Sequence, residues 1–71
     1  MAAGSTYNVI ELVGSSEKSW EEAARSAVET AAKSITDLRV AEIVKLDIAI
    51  QDGKLTYRAR VTASFKYHPK G

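Results

Sequence analysis

The stretch DGKLTYRARVTASFKY, residues 52–67, sets the architecture predicted for this chain. From residue 55 onward, apolar and polar side chains alternate, which is the period of a β-strand with one buried face. Asp52-Gly53 supplies the residues that a tight hairpin turn with positive φ requires, so this strand is expected to pair with the segment before the turn. The apolar face holds Leu55, Tyr57, Ala59, Val61, Ala63, Phe65 and Tyr67, and the opposite face holds Thr56, Arg58, Arg60, Thr62, Ser64 and Lys66.

The segment before the turn, residues 38–51, contains enough β-branched residues to predict a second long strand. Its odd-numbered positions are only half polar. Its even-numbered positions are expected to form an apolar face of Val40, Val44, Leu46, Ile48 and Ile50. The two strands together predict a long hairpin with one polar face, which suits a polar interface or a lined cavity.

Ser19 followed by Glu22 has the spacing of a capping box and predicts a helix that begins at about Trp20. In that motif the serine hydroxyl accepts from the backbone N–H of the glutamate, and the carboxylate accepts from the N–H of the cap. A stripe at helical spacing follows, formed by Trp20, Ala23, Ala24, Ala27, Val28, Ala31, Ala32 and Ile35. Because this stripe is nearly all alanine, the helix is expected to pack closely against a curved sheet, with Trp20 as a core anchor or, alternatively, a ligand platform.

Residues 7–13 predict a first strand that stops at a loop, Gly14-Ser15-Ser16, and the four glycines of the chain are interpreted as turns or termini. The predicted fold class is α+β, with the order β-α-β-β and a three-stranded antiparallel sheet wrapped around one helix. The first strand could pair with the last strand or lie beside the second. One domain over residues 1–71 is expected, with flexible ends at 1–5 and 69–71.

Composition limits the possible functions. A chain of 71 residues without cysteine has a small core and no disulfide, so we expect its missing stability to come from other copies of the chain. Ten Lys and Arg against nine Asp and Glu give no basic field for nucleic acid. The short apolar runs predict no membrane span, and the first residues lack the pattern of a secretory signal, so a cytoplasmic location is expected.

Few residues offer chemistry. The only histidine, His68, lies at the tail beside Pro69, so no catalytic arrangement of nucleophile and base is predicted and the protein is not expected to be an enzyme. The carboxylates lack the spacing of a calcium loop, yet one carboxylate repeated about a symmetry axis can give two or three oxygen ligands to Ca²⁺ or Mg²⁺. Arg58 and Arg60 could hold a carboxylate or phosphate through bidentate pairing, or form salt bridges between subunits.

Residues 7–16, 19–24 and 38–43, read as YNVIELVGSS, SWEEAA and LRVAEI, together resemble the dodecin family over nearly the whole chain. The resemblance implies a sheet wrapped around one helix and a hollow homododecamer of tetrahedral symmetry. Many dodecins bind flavins between tryptophans of neighbouring subunits, with a strand glutamine on the ring edge. Here the position that matches the tryptophan is Val40, and the position that matches the glutamine is Arg58. Both changes weaken a flavin site, because valine offers no flat face for stacking.

Residues 39–43 and 53–58 are similar to those of family members described as calcium dodecins. This resemblance implies a non-enzymatic homododecameric shell that binds or buffers a small ligand, a divalent cation such as calcium. Glu11 and Glu42 are the candidate metal ligands, because they are carboxylates on strands that assembly would bring toward subunit contacts. Two alternatives stay open: a dodecin that stores riboflavin or FMN, with Arg58 on the ring edge or a phosphate, and a structural shell without a ligand.

Overall fold

The computed structural model describes residues 6–67, so the predicted flexible ends and His68 lie outside the described residues. Its elements are β1 (Tyr7–Ser16), α1 (Trp20–Ser34), β2 (Leu38–Gln51) and β3 (Lys54–Lys66), which confirms the predicted order and helix start. The three strands form one antiparallel sheet in the order β1-β3-β2. The first strand therefore pairs with the last, which decides between the two pairings left open by the sequence.

The hairpin turn between β2 and β3 is confirmed. Asp52 has φ 52° and Gly53 has φ 77°, the two consecutive left-handed residues that a two-residue turn between twisted strands favours. This turn pairs Gln51 with Lys54 and fixes the register of the distal part of the hairpin.

Strand β1 continues through Gly14 to Ser16, so the loop predicted at 14–16 is wrong. Gly14 lies opposite Ala59 inside the sheet, where α1 crosses over it. A Cβ atom on Gly14 would overlap the backbone carbonyl of Ala23 and lie 3.0 Å from the Cβ of Ala27. The interpretation of Gly14 as a turn residue is therefore also wrong: this glycine permits the close approach of helix and strand.

Half of the predicted capping box is present. The Ser19 hydroxyl accepts from the Glu22 N–H at 3.1 Å, as expected. The Glu22 carboxylate instead accepts from the Ser16 hydroxyl at 2.6 Å, and the Ser16 oxygen accepts from the N–H groups of Lys18 and Ser19 at 2.9 and 3.4 Å. Because β1 extends to Ser16, this buried serine takes the place of the direct contact between carboxylate and cap.

The core is thin. Among the described residues, the buried apolar side chains are Ala23, Ala24, Ala27, Ala31, Ala59, Val61 and Ala63. Two members of the predicted helix stripe are exposed, Ala32 and Trp20, the latter with 36% of its surface, and two more, Val28 and Ile35, are half-buried. The accessible surface is 5498 Å², against about 4,300 Å² for a compact protein of this mass. A single chain therefore leaves much apolar surface uncovered.

Strand β2 does not keep one apolar face. The predicted even-numbered face is confirmed for Leu46, Ile48 and Ile50, but it is wrong for Val40, which lies on the opposite side of the sheet. After a first register shift between Leu38 and Val40, Ile43 lies opposite Val61, which places the odd-numbered positions of this middle stretch on the helix side of the sheet. The register shifts at Val44, and beyond it Leu46 lies opposite Ala59 on the helix side. One extra residue in a β-bulge reverses which parity faces the helix.

A consequence of this bulge is the composition of the outer face, by which we mean the side of the sheet turned away from α1. Its β2 members are Val40 and Glu42 before the bulge and Lys45, Asp47 and Ala49 after it. Charged side chains from both halves of β2 thus join the polar face of β3. No helix within residues 6–67 has the length and apolar character needed to cross a membrane.

Candidate functional site

The outer face is built on the polar side of β3, the central strand. From Arg58 to Ser64, each of its side chains has one neighbour on β1 and one on β2, so the three strands form rows across the sheet. In an antiparallel pair, residues directly opposite have their Cβ atoms within about 4.5–5.5 Å, so side chains in one row are in reach of each other. Side chains on this face can therefore act together when they lie in the same row.

The two candidate metal ligands lie in one row. Glu11 on β1 and Glu42 on β2 are both directly opposite Thr62 on β3, and both glutamates are exposed. Neighbouring strands are about 4.7–4.9 Å apart, which separates the two glutamate Cα atoms by roughly 9–10 Å. Two glutamate side chains that lean toward each other over Thr62 can place oxygens at the about 2.3–2.6 Å that Ca²⁺ requires.

One chain supplies only part of a calcium shell. Within residues 6–67, no three or more acidic, histidine or cysteine side chains lie together in a group that could hold a metal ion. Ca²⁺ takes about six to eight oxygen ligands, some of which are commonly water or backbone oxygens. The row of Glu11 and Glu42 can therefore supply two carboxylates, and the remaining oxygens have to come from backbone carbonyls, water or another copy of the chain.

Arg58 is held by an acid on the neighbouring strand. Its Nε and Nη2 atoms donate to Oδ1 and Oδ2 of Asp47 at 2.7 and 2.9 Å, a bidentate pair on the outer face. The hydrogen bond from Arg58 lowers the pKa of Asp47, desolvation opposes it in part, and the positive charges of Arg58, Lys45 and Arg60 lower the pKa further. At neutral pH the charge of Arg58 is therefore balanced by Asp47.

This ion pair should open in acid. Because the pKa of Asp47 lies below its ordinary value of 3.8, the pair is fully formed above that pH and is lost as the pH falls through the lowered value. We expect the ¹⁵N NMR signal of Arg58 Nε to shift only below pH 3.8 in the wild type. In Asp47→Asn the same signal should show no such step, and a step near neutral pH in the wild type would contradict the assignment.

Trp20 is not the buried core anchor that the sequence predicted. Its indole N–H donates to the backbone carbonyl of Asp47 at 3.0 Å, and its ring meets Tyr57 edge-on with centroids 5.2 Å apart. The close approach of α1 to β1 at Gly14 involves Ala23 and Ala27, whereas Trp20 keeps 36% of its surface exposed at the start of the helix. Trp20 instead connects the start of α1 to the β2–β3 hairpin through this hydrogen bond and this ring contact.

The two positions that match the flavin residues of the family are not close together in one chain. Val40 is 60% exposed and lies opposite Ser64, whose hydroxyl donates to the Val40 carbonyl at 3.3 Å. Arg58 lies on the same face, but it precedes Ser64 by six residues on β3. At the usual rise of a strand this is a distance of about 20 Å. A single flavin ring cannot contact both positions within one chain.

Asp47 is the residue that the sequence analysis missed. Its pairing with Arg58 can be found by counting back from the turn, because Gln51 pairs with Lys54 and the register stays regular from there to Asp47. The shared row of Glu11 and Glu42 could not be found in that way, because the bulge at Val44 lies between Glu42 and the turn.

Comparison with known proteins agrees with this architecture. The family model described as Dodecin matches residues 6–68. The calcium dodecin of Mycobacterium tuberculosis is 46% identical over 66 residues, which cover 92% of this chain and 93% of that protein.

Solved structures show the same fold. The crystal structure of the M. tuberculosis calcium dodecin, described as having a novel calcium-binding site, matches with a TM-score of 0.84 and 44% identity over 94% of this chain and 97% of that chain. The dodecin of Streptomyces coelicolor matches with a TM-score of 0.87 and 26% identity over 97% of this chain and 100% of that chain. The match of the family model, together with that of a relative well above 30% identity, shows that this chain belongs to the dodecin family.

Proposed function

We propose that this protein is a non-enzymatic, homododecameric shell that binds or buffers calcium through Glu11 and Glu42. The observation that carries the proposal is their common row: both carboxylates flank Thr62 on the outer face, so they can approach one cation together. Carboxylate oxygens are the ligands that Ca²⁺ prefers. The cytoplasmic location expected from the sequence stays a prediction.

Assembly into a shell is supported by what a single chain leaves uncovered. The buried core consists of alanines and Val61, and large apolar side chains such as Ile43, Ile48 and Ile50 keep 53%, 41% and 74% of their surface exposed. Burying such surface is the main favourable term in association. Further copies can both cover these side chains and contribute the oxygens that one chain lacks.

A calcium role is favoured over flavin storage by two features of the outer face. Val40 offers no aromatic ring for stacking. Arg58 donates from Nε and Nη2 to both oxygens of Asp47, so its charge is already balanced by a carboxylate, which disfavours an added phosphate or ring edge at this position. The relative that is 46% identical carries calcium in its name, which supports the same ligand class for this chain.

Isothermal titration calorimetry with Ca²⁺ tests the proposal. We expect saturable binding to the wild type, and Glu11→Gln and Glu42→Gln should each weaken it by roughly tenfold or more, because calcium affinity depends on the number of charged ligands. Glu29→Gln is the matched control, since Glu29 is an exposed glutamate on α1, away from the outer face, and should bind as the wild type does.

Three results would count against the proposal. Absence of calcium binding would favour the shell without a ligand. Equal binding by the wild type, Glu11→Gln and Glu42→Gln would move the cation to another site. Tight binding of riboflavin or FMN by the wild type would favour the flavin-storage alternative.

A further inference from the structure

We infer that Arg60 is a tethered counter-cation that competes with calcium for the carboxylates of Glu11 and Glu42 and thereby sets the calcium affinity. This inference rests on the proposed function, because it concerns the same two carboxylates. It adds a residue that would regulate the site without contacting the metal.

Arg60 lies on the central strand, in the row next to the one that holds the two carboxylates. It precedes Thr62 by two residues on β3, so it shares the outer face, and it is diagonal both to Glu11 on β1 and to Glu42 on β2. Diagonal neighbours across an antiparallel pair are about 7–8 Å apart, which is within reach of a long side chain. The guanidinium group of Arg60 can therefore approach the carboxylate of either Glu11 or Glu42.

Arg60 forms no ion pair in the part of the chain that the structure describes. Lys45 lies directly opposite Arg60 on β2, so two cations face each other in the next row, an arrangement that is unfavourable by itself. Among residues 6–67, the ion pairs formed are Arg39 with Asp37 and Arg58 with Asp47, and neither Arg60 nor Lys45 takes part in one. Asp47 is also diagonal to Arg60, and the charges of Arg60 and Lys45 act on it, but both of its oxygens already accept from Arg58. Within residues 6–67, the other acids near Arg60 and Lys45 on this face are those of the carboxylate row.

A third cation on this face, Arg58, is neutralised by Asp47 and therefore does not compete for the carboxylates of Glu11 and Glu42. Arg58 lies two residues before Arg60 on the same face, and its charge is balanced by the bidentate contact with Asp47. The charge on the outer face therefore changes along β3. Arg58 is neutralised by Asp47, Arg60 forms no ion pair within the described residues, and Thr62 lies between the two carboxylates. Arg60 and Lys45, which form no ion pair within the described residues, are the cations in the row next to the carboxylates and oppose a bound cation there.

Calcium titration of charge variants tests this inference. Removing a positive charge about 7–8 Å from a divalent cation should strengthen binding, so we expect Arg60→Gln to bind Ca²⁺ roughly threefold to tenfold more tightly than the wild type. Asp47→Asn releases the charge of Arg58 and should shift affinity in the opposite direction, by about twofold at this larger distance.

The matched control is Arg25→Gln. Arg25 is an exposed arginine on α1, on the other side of the sheet, so the variant has the same net charge as Arg60→Gln but a distant charge change. Its calcium affinity should equal that of the wild type. Raising the ionic strength from about 0.01 M to 1 M should abolish the difference between Arg60→Gln and the wild type, because the screening length falls from about 30 Å to 3 Å. A purely structural effect of the substitution would persist in salt.

The outcomes separate this inference from the proposed function. If the wild type binds calcium, Glu11→Gln weakens binding and Arg60→Gln leaves it unchanged, the inference is overturned and the proposed function stands. If Arg60→Gln strengthens binding and Arg25→Gln does not, the inference is supported. If neither the wild type nor Arg60→Gln binds calcium, both are overturned.

Discussion

Gly14→Ala is expected to destabilise the protein by at least about 3 kcal/mol, the upper end of the cost of overpacking. The added Cβ would overlap the backbone carbonyl of Ala23, and backbone atoms cannot move aside as the end of a flexible side chain can. The whole helix would have to shift away from β1. The measurement is chemical denaturation followed by circular dichroism, at equal protein concentration for each variant.

Gly53→Ala provides the contrast. Gly53 has φ 77° and no atom within 4 Å of its added Cβ, so only the left-handed backbone is penalised, at about 1–2 kcal/mol. If the two glycine variants lost equal stability, Gly14 would not be the point of close approach that the structure indicates.

Ala27→Leu is the second change with a large expected effect, a loss of about 1–3 kcal/mol from overpacking. Ala27 is 5% exposed and faces β1 at Gly14, so a leucine would have to push α1 and the sheet apart. Thermal unfolding should show a lower midpoint than for the wild type.

Ala32→Leu is the matched control for this substitution. Ala32 lies on the same helix but is exposed, so its replacement should change the stability by no more than about 0.5 kcal/mol. Unchanged stability of Ala27→Leu, or equal losses for both variants, would mean that the alanines do not mark the packed face of α1.

Local signals predicted much of the fold. The Asp52-Gly53 turn, the start of α1 at Trp20 and the alternation of β3 all follow from chemistry within a few residues, and all three are confirmed. The fixed register near the turn also makes the pairing of Asp47 with Arg58 derivable from the sequence.

Features that depend on contacts between distant segments could not be predicted. The extension of β1 through Gly14 depends on α1 crossing it, and a lone glycine before two serines reads locally as a loop. The bulge at Val44 leaves no mark in the sequence, because β-branched residues continue on both sides of it. Without the bulge, Glu42 would not share a row with Glu11 and Thr62, so the geometry of the candidate site depends on that single extra residue.

Native mass spectrometry of freshly purified, undialysed protein tests the central claim most directly, because one spectrum gives both the number of subunits and the mass of anything bound. We predict a homododecamer that carries excess mass corresponding to calcium and none corresponding to flavin. A monomer, or a dodecamer that carries flavin, would contradict the proposal of a calcium-binding shell.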